Sequence, residues 1–132
     1  MKLNFSPQQK IHISKSNIPG SGKGVFASED IKRNETIEIA PILILEFSDF
    51  IETKWNLLFE YYFWLDDFVV LALGYGSMYN HSKTPNAKYR INRKDQTITF
   101  TATENIKKGS EILFNYKGSS SSKAPLWFEH KK

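Results

Sequence analysis

The sequence predicts one mainly β domain with a short helical insert. Three observations carry this. Apolar residues alternate with polar ones or run in short blocks over most of the chain. Clusters of Gly, Pro and Asn separate these blocks at strand-length intervals. Finally, 132 residues that are 40% hydrophobic and 14% aromatic suffice for a single core.

Taken in order, Ile11 and Ile13 alternate with polar neighbours and predict a short first strand, which Pro19-Gly20-Ser21-Gly22-Lys23-Gly24 ends. Three glycines in five positions form a loop whose backbone can wrap a ligand. It is not a phosphate-binding P-loop, because the spacing is wrong and no Lys-Ser/Thr pair opens a helix. Val25-Phe26-Ala27 resumes an extended run. Thr36 to Leu45 is an Ile-rich strand, and Pro41 marks it as interrupted or at an edge. From Ser48 to about Leu65 the apolar residues Phe50, Ile51, Trp55, Leu58, Phe59, Tyr62 and Phe63 suit an amphipathic helix. Phe68 to Leu73 is a continuous apolar run, expected of a buried strand. Ala87–Ile91 and Thr97–Thr103 alternate on either side of Asn92-Arg93-Lys94-Asp95-Gln96 and predict a hairpin. Ile112-Leu113-Phe114-Asn115-Tyr116 is the last strand. Ser119–Ser122 then reads as a hinge before the aromatic plug Leu126-Trp127-Phe128, either a lid that folds back or a tail packed on the core.

One pattern occurs twice. Ala27–Ile37 and Ala102–Ile112 both read Ala, three residues, Ile-Lys, a base, Asn or Gly, two residues, Ile. Asn34 and Gly109 hold the same place, where a turn needs a left-handed residue. The expectation is one turn-then-strand device used twice.

Composition narrows the function. The chain has no cysteine, hence no disulfide and no thiolate metal site, and His12, His81 and His130 are too scattered for a histidine-rich one. No run reaches signal-peptide or transmembrane length, so the expectation is a soluble, intracellular protein. The net charge is +4, but six acids and one base between Glu46 and Asp67 give −5 there and leave +9 elsewhere. Such an acidic block does not suit a uniformly basic nucleic-acid binder. Lys88, Arg90, Arg93 and Lys94 do make the hairpin basic, but aromatic residues that could stack on a base are sparse on it apart from Tyr89.

The stretch richest in chemistry runs from Ala72 to Asn86. An apolar strand leads through Gly74 and Gly76 into Asn80, His81, Ser82 and Asn86, with Pro85 stiffening the turn. By itself such a stretch is an ordinary Asn/Pro turn. Its meaning comes from company in a set order: Gly22-Lys23-Gly24 before Val25-Phe26-Ala27, then Tyr79-Asn80-His81-Ser82 with Pro85-Asn86, then Glu111–Tyr116, then the aromatic plug.

That order resembles the SET-domain protein lysine methyltransferases, over roughly residues 10 to 130, and most of all the compact viral and bacterial type. The resemblance implies a SET-domain fold of small curved β-sheets, with the C-terminal strand passed beside the Asn-His loop in a knot-like way. It implies a single domain over 1–132, with a core at 10–118 and a hinge and aromatic lid at 119–132. It also implies S-adenosyl-L-methionine on one face, a protein lysine on the other and a narrow channel between. Gly22, Lys23 and Gly24 would contact the methionine part of the cofactor, Asn80 and His81 its amino group and adenine, and Trp127 would cover the adenine. Tyr116 would be catalytic, Tyr62 and Tyr75 would line the channel, and no metal or membrane is implied. The partner would be a protein with a basic, lysine-containing segment, such as a histone tail. A small relative is a homodimer, which leaves the oligomeric state here open between monomer and homodimer, and the cytoplasm or a host nucleus is the implied place. Asn115 stands where many relatives carry Asp, and Leu126 where many carry Phe or Tyr, which leaves open how many methyl groups are added. The alternative is a SET-like module that binds a peptide without turnover.

Overall fold

The computed structural model describes residues 10–46, 63–65 and 68–115. They form nine strands: β1 (Ile11–Lys15), β2 (Lys23–Ala27), β3 (Thr36–Glu46), β4 (Phe63–Leu65), β5 (Phe68–Ala72), β6 (Asn80–His81), β7 (Ala87–Asn92), β8 (Thr97–Ala102) and β9 (Glu111–Phe114). The first sheet has the order β1-β2-β9-β6 and the second β4-β5-β3-β8-β7. No helix among these residues is long and apolar enough to cross a membrane.

The predicted strands at Ile11, Val25 and Phe68 and the hairpin β7–β8 are present, and β8 alternates strictly between half-buried threonines and buried Ile98, Phe100 and Ala102. Two expectations need correction. Phe63–Leu65, read as the end of a helix, is a strand paired with β5; the part of that stretch from Ser48 to Tyr62 lies outside the described residues. Strand β3 is neither interrupted nor at an edge. It is 11 residues long and central, and Pro41 sits where its pairing passes from β8 (Thr36–Pro41) to β5 (Ile42–Glu46). The Pro41 carbonyl accepts Leu73 N at 2.9 Å, which ties the strand to the loop after β5.

The two sheets meet through aromatic rings. Phe114 of the first sheet stacks on Phe63 at 5.4 Å and meets the edges of Phe100 at 5.6 Å and Tyr89 at 5.4 Å, all from the second. Tyr79 lies between them, stacked on Phe100 at 4.3 Å. Phe63, Tyr79, Phe100 and Phe114 are each almost wholly buried, and such ring pairs add to the area they hide.

The duplicated pattern turns out to be a pair of turns that complete each other. Ile31 and Ile106 exchange backbone hydrogen bonds of 2.8 and 2.7 Å. Asn34 N donates to the Ala102 carbonyl, and Gly109 N to the Ala27 carbonyl, each at 2.8 Å. Asp30 Oδ1 accepts from Lys108 N at 2.8 Å, while Asn105 Oδ1 accepts from Arg33 N at 2.9 Å. Each of these bonds has its image under a local two-fold. Both turns carry the left-handed residue, with φ 70° at Asn34 and 89° at Gly109.

Only glycine takes that conformation without steric cost, and asparagine tolerates it. Gly109→Ala should therefore destabilise the fold by about 1–2 kcal/mol, whereas Asn34→Gly should be close to neutral. Urea unfolding followed by circular dichroism would measure both.

Candidate cofactor site

The glycine loop, the Asn-His segment and the last strand converge at one place. Strand β9 lies between β2 and β6, antiparallel to the former (Val25 opposite Ile112) and parallel to the latter (Asn80 opposite Leu113, His81 opposite Phe114). Strand β6 is only two residues long, so side chains extend its edge. Asn86 Nδ2 donates to the Glu111 carbonyl at 3.0 Å and its Oδ1 accepts from Leu113 N at 2.8 Å, as a strand's own backbone would.

At the centre stands Glu111, only 6% exposed. Its carboxylate accepts from Ser16 Oγ at 2.8 and 3.1 Å, Asn17 N at 2.8 Å and Asn80 Nδ2 at 2.9 Å. Asn80 Nδ2 also donates to the Lys23 carbonyl at 3.0 Å. Segments 31 and 94–95 residues away along the chain are thus tied to one group. Gly24 lies against it. A Cβ there would stand 2.3 Å from Glu111 Oε2 and 2.8 Å from Asn80 Nδ2, so a larger residue would force the cluster apart. Gly22, at φ 66°, faces open space, and its carbonyl accepts Ser16 N at 2.8 Å. A cleft of about 880 Å³ opens over this hairpin, lined by Ser14, Lys15, Ser16, Asn17, Gly22 and Lys23 among others.

A second buried carboxylate holds the loop that delivers Asn80. A bulge between Thr36 and Glu38 turns Glu38 inward, where it is fully buried. It accepts from Tyr79 Oη at 2.8 Å and Tyr75 N at 2.9 Å. Tyr75 is half-buried at the turn between β5 and β6. Burial first, and then the charge of Glu38, raises the Tyr79 hydroxyl well above the usual phenol range. Burial alone pushes Tyr89 up to about 12.

The structure brings Gly22, Lys23 and Gly24 together with Asn80 and His81, while Tyr75 lies at the head of the same segment. Tyr62, Tyr116 and Trp127 lie outside the described residues, as do the hinge and the aromatic plug. Glu111 and Glu38 were missed as site residues by sequence reasoning. Glu111 stands in the motif as a strand residue, and a charged residue in an alternating strand normally faces water. The signal for Glu38 was parity, since it shares a face with Ala40 and Ile42.

The residues leave room for a ligand that donates a hydrogen bond. The Asn80 Oδ1 acceptor meets no donor among the described residues, and glycine backbone borders an open cleft beside it. Among those residues there is also no cluster of three His, Cys, Asp or Glu able to hold a metal ion.

A curled β-fold thus joins a glycine loop, an Asn-His strand and the last described strand. The SET domain family model matches residues 22–117, and the chain belongs to that family. A histone-lysine N-methyltransferase of Schizosaccharomyces pombe specific for H3 lysine-37 is 34% identical over 110 residues, 82% of this chain and 71% of that protein. A Plasmodium falciparum crystal structure assigned as a histone methyltransferase is 37% identical, with a TM-score of 0.68 over 86% of this chain and 98% of the other. Polycomb repressive complex 2 of Chaetomium thermophilum, in an autoinhibited state bound to S-adenosylmethionine, contains a chain that matches 95% of this one with a TM-score of 0.71. The match spans 17% of that longer chain at 22% identity, a likeness of fold. This protein accordingly transfers a methyl group from S-adenosyl-L-methionine to the ε-amine of a protein lysine.

Two outcomes follow from the buried groups. Gly24→Ala should reduce cofactor affinity at least tenfold by isothermal calorimetry, because its Cβ displaces Glu111 or Asn80. For the tyrosines, folded pKa values lie above the unfolded value near 10. Their contribution to stability is complete below pH ~10 and is lost as pH rises through the folded values. Alkaline titration should show tyrosinate absorbance for these residues only as near-UV dichroism collapses. Tyr89→Phe should make the fall in stability between pH ~10 and about 12 shallower.

Proposed function

We propose that Gly22, Lys23, Gly24, Asn80 and His81 hold the methionine and adenine parts of the cofactor, with Trp127 closing over it. Tyr116 acts as the catalytic residue, and Tyr62 and Tyr75 line the lysine channel. The observation that carries this reading is the Asn80 amide bonded at once to the Lys23 carbonyl and to Glu111, which unites the glycine loop, the Asn-His segment and the final strand. Tyr116 follows β9 by two positions in the sequence. In this reading residues 10–118 are the working core and 119–132 the hinge and lid.

When bound, the cofactor supplies an electrophilic methyl group on a sulfonium. The chain must present the target amine neutral and in line. Free lysine titrates near 10.4, and a channel closed to water favours its neutral form. Aromatic walls such as Tyr62 and Tyr75 pack on the lysine stem and still accept a methylated ammonium through cation–π contact. The Tyr116 hydroxyl orients the amine without acting as a strong base. Alignment of this kind can supply a large part of the rate.

The substrate is a lysine in a basic segment, and a histone tail fits best. Support comes from the yeast and Plasmodium relatives, both described as histone methyltransferases. It comes also from the −5 carried between Glu46 and Asp67, since opposite charge speeds encounter. A nuclear place of action accompanies a histone substrate.

Transfer of a labelled methyl group to purified core histones should be detectable with the wild-type protein. Tyr116→Phe should lower kcat by about 10²-fold, roughly 2.7 kcal/mol, with cofactor affinity retained. Full cofactor binding by the wild type without transfer to any protein of a lysate would favour a non-catalytic module.

A further inference from the structure

We propose that Glu111 is a positioning residue of the cofactor site, which fixes the orientation of the Asn80 amide and so makes Asn80 a selective acceptor for the cofactor's α-amino group. The proposal rests on the reading of Asn80 as a cofactor-binding residue. An asparagine amide has two ends of nearly equal size, one a donor and the other an acceptor, and the surrounding network decides which faces where. The inward end of Asn80 lies 3.0 Å from the Lys23 carbonyl and 2.9 Å from Glu111 Oε2. Both neighbours are acceptors without a hydrogen to give. The inward end must then be the NH₂ group, with one hydrogen for each. The reverse orientation would set an amide oxygen against a carbonyl and a carboxylate.

The outward end is therefore Oδ1, which can only accept. Among the described residues no donor meets it. A protonated amine complements it, and a carboxylate or a carbonyl does not. The Lys23 carbonyl engages one hydrogen only, so the second lock is Glu111, whose charge strengthens the bond. Glu111 is itself immobilised by Ser16 Oγ and Asn17 N. Gly24 gives this contact its room, since any Cβ would enter the space between Oε2 and Nδ2. The loop that covers the methionine end and the residue that reads its amine are thus set by one carboxylate.

The test uses the full chain, with S-adenosylhomocysteine and its analogue lacking the α-amino group as calorimetric probes. Glu111→Gln preserves size but can turn an NH₂ towards Asn80, donor against donor. It should weaken S-adenosylhomocysteine about tenfold and leave the desamino analogue unchanged. In an Asn80→Ala background the same change should have no further effect on S-adenosylhomocysteine. Equal losses for both probes would show that Glu111 only braces the fold, and wild-type affinity for both would remove it from the site; either overturns the proposal. Wild-type affinity in Asn80→Ala itself would instead remove the reading of Asn80, and the proposal with it. Should Glu111→Gln not fold, Ser16→Ala frees one anchor of the carboxylate and is judged in the same way. A loss confined to the amine-bearing probe supports the proposal, and a uniform loss or none overturns it.

Discussion

Strand β9 is bonded on both edges by segments from far away in the chain, and the rest of the structure depends on that. Four residues, Glu111–Phe114, receive β2 on one side, and β6 with the Asn86 amide on the other. Within the same four residues, Phe114 turns into the aromatic cluster and seals the two sheets together. Strands β2 and β6 do not pair with each other, so β9 supplies the backbone frame they share, to which the Asn80–Lys23 bond adds one side-chain tie. The site is therefore built from pairings between segments far apart in the chain. Such non-local pairing carries a loop-closure cost before it is rewarded and slows folding.

Two carboxylates stand inside this frame, and both act on backbone or amide donors. Glu38 holds the approach to Asn80 through Tyr75 and Tyr79. Glu111 holds Asn80 and the loop opposite. Burying a carboxylate is costly unless its oxygens are well supplied with donors. Each of these is, and the loss of one donor would leave the remainder of the cost uncompensated. The pair explains how loops built largely of Gly, Ser and Asn keep a defined shape.

Much of this was legible in the sequence. The β8 alternation, the Phe68 run and the Asn34 and Gly109 turns are local signals, governed by pleat and φ alone, and the structure repeats them. The convergence of Gly22–Gly24, Asn80–His81 and β9 was legible only through resemblance, because nothing in spacing tells which strands are neighbours. Three features were illegible for physical reasons. Pro41 reads as an edge marker, since the sequence does not say that β3 changes partner at that residue. Phe63 sits at a spacing that suits either helix or strand, and pairing with β5 decided it. The roles of Glu38 and Glu111 were not read, since burial of a charge depends on donors such as Ser16 and Tyr79 that lie far off in the chain.

The two reciprocal turns have the form of an isologous contact, in which one patch meets its own image. Such contacts ordinarily join two molecules, yet here both images belong to one chain. Asp30 caps the turn that holds Lys108, and Asn105 caps the turn that holds Arg33, so neither half can finish its own turn. A fragment ending between β5 and β6 would carry one patch without its image, and its natural complement is the other fragment. The domain is in this sense a heterodimer of two halves joined by a linker, and its division for complementation experiments is drawn by its own symmetry.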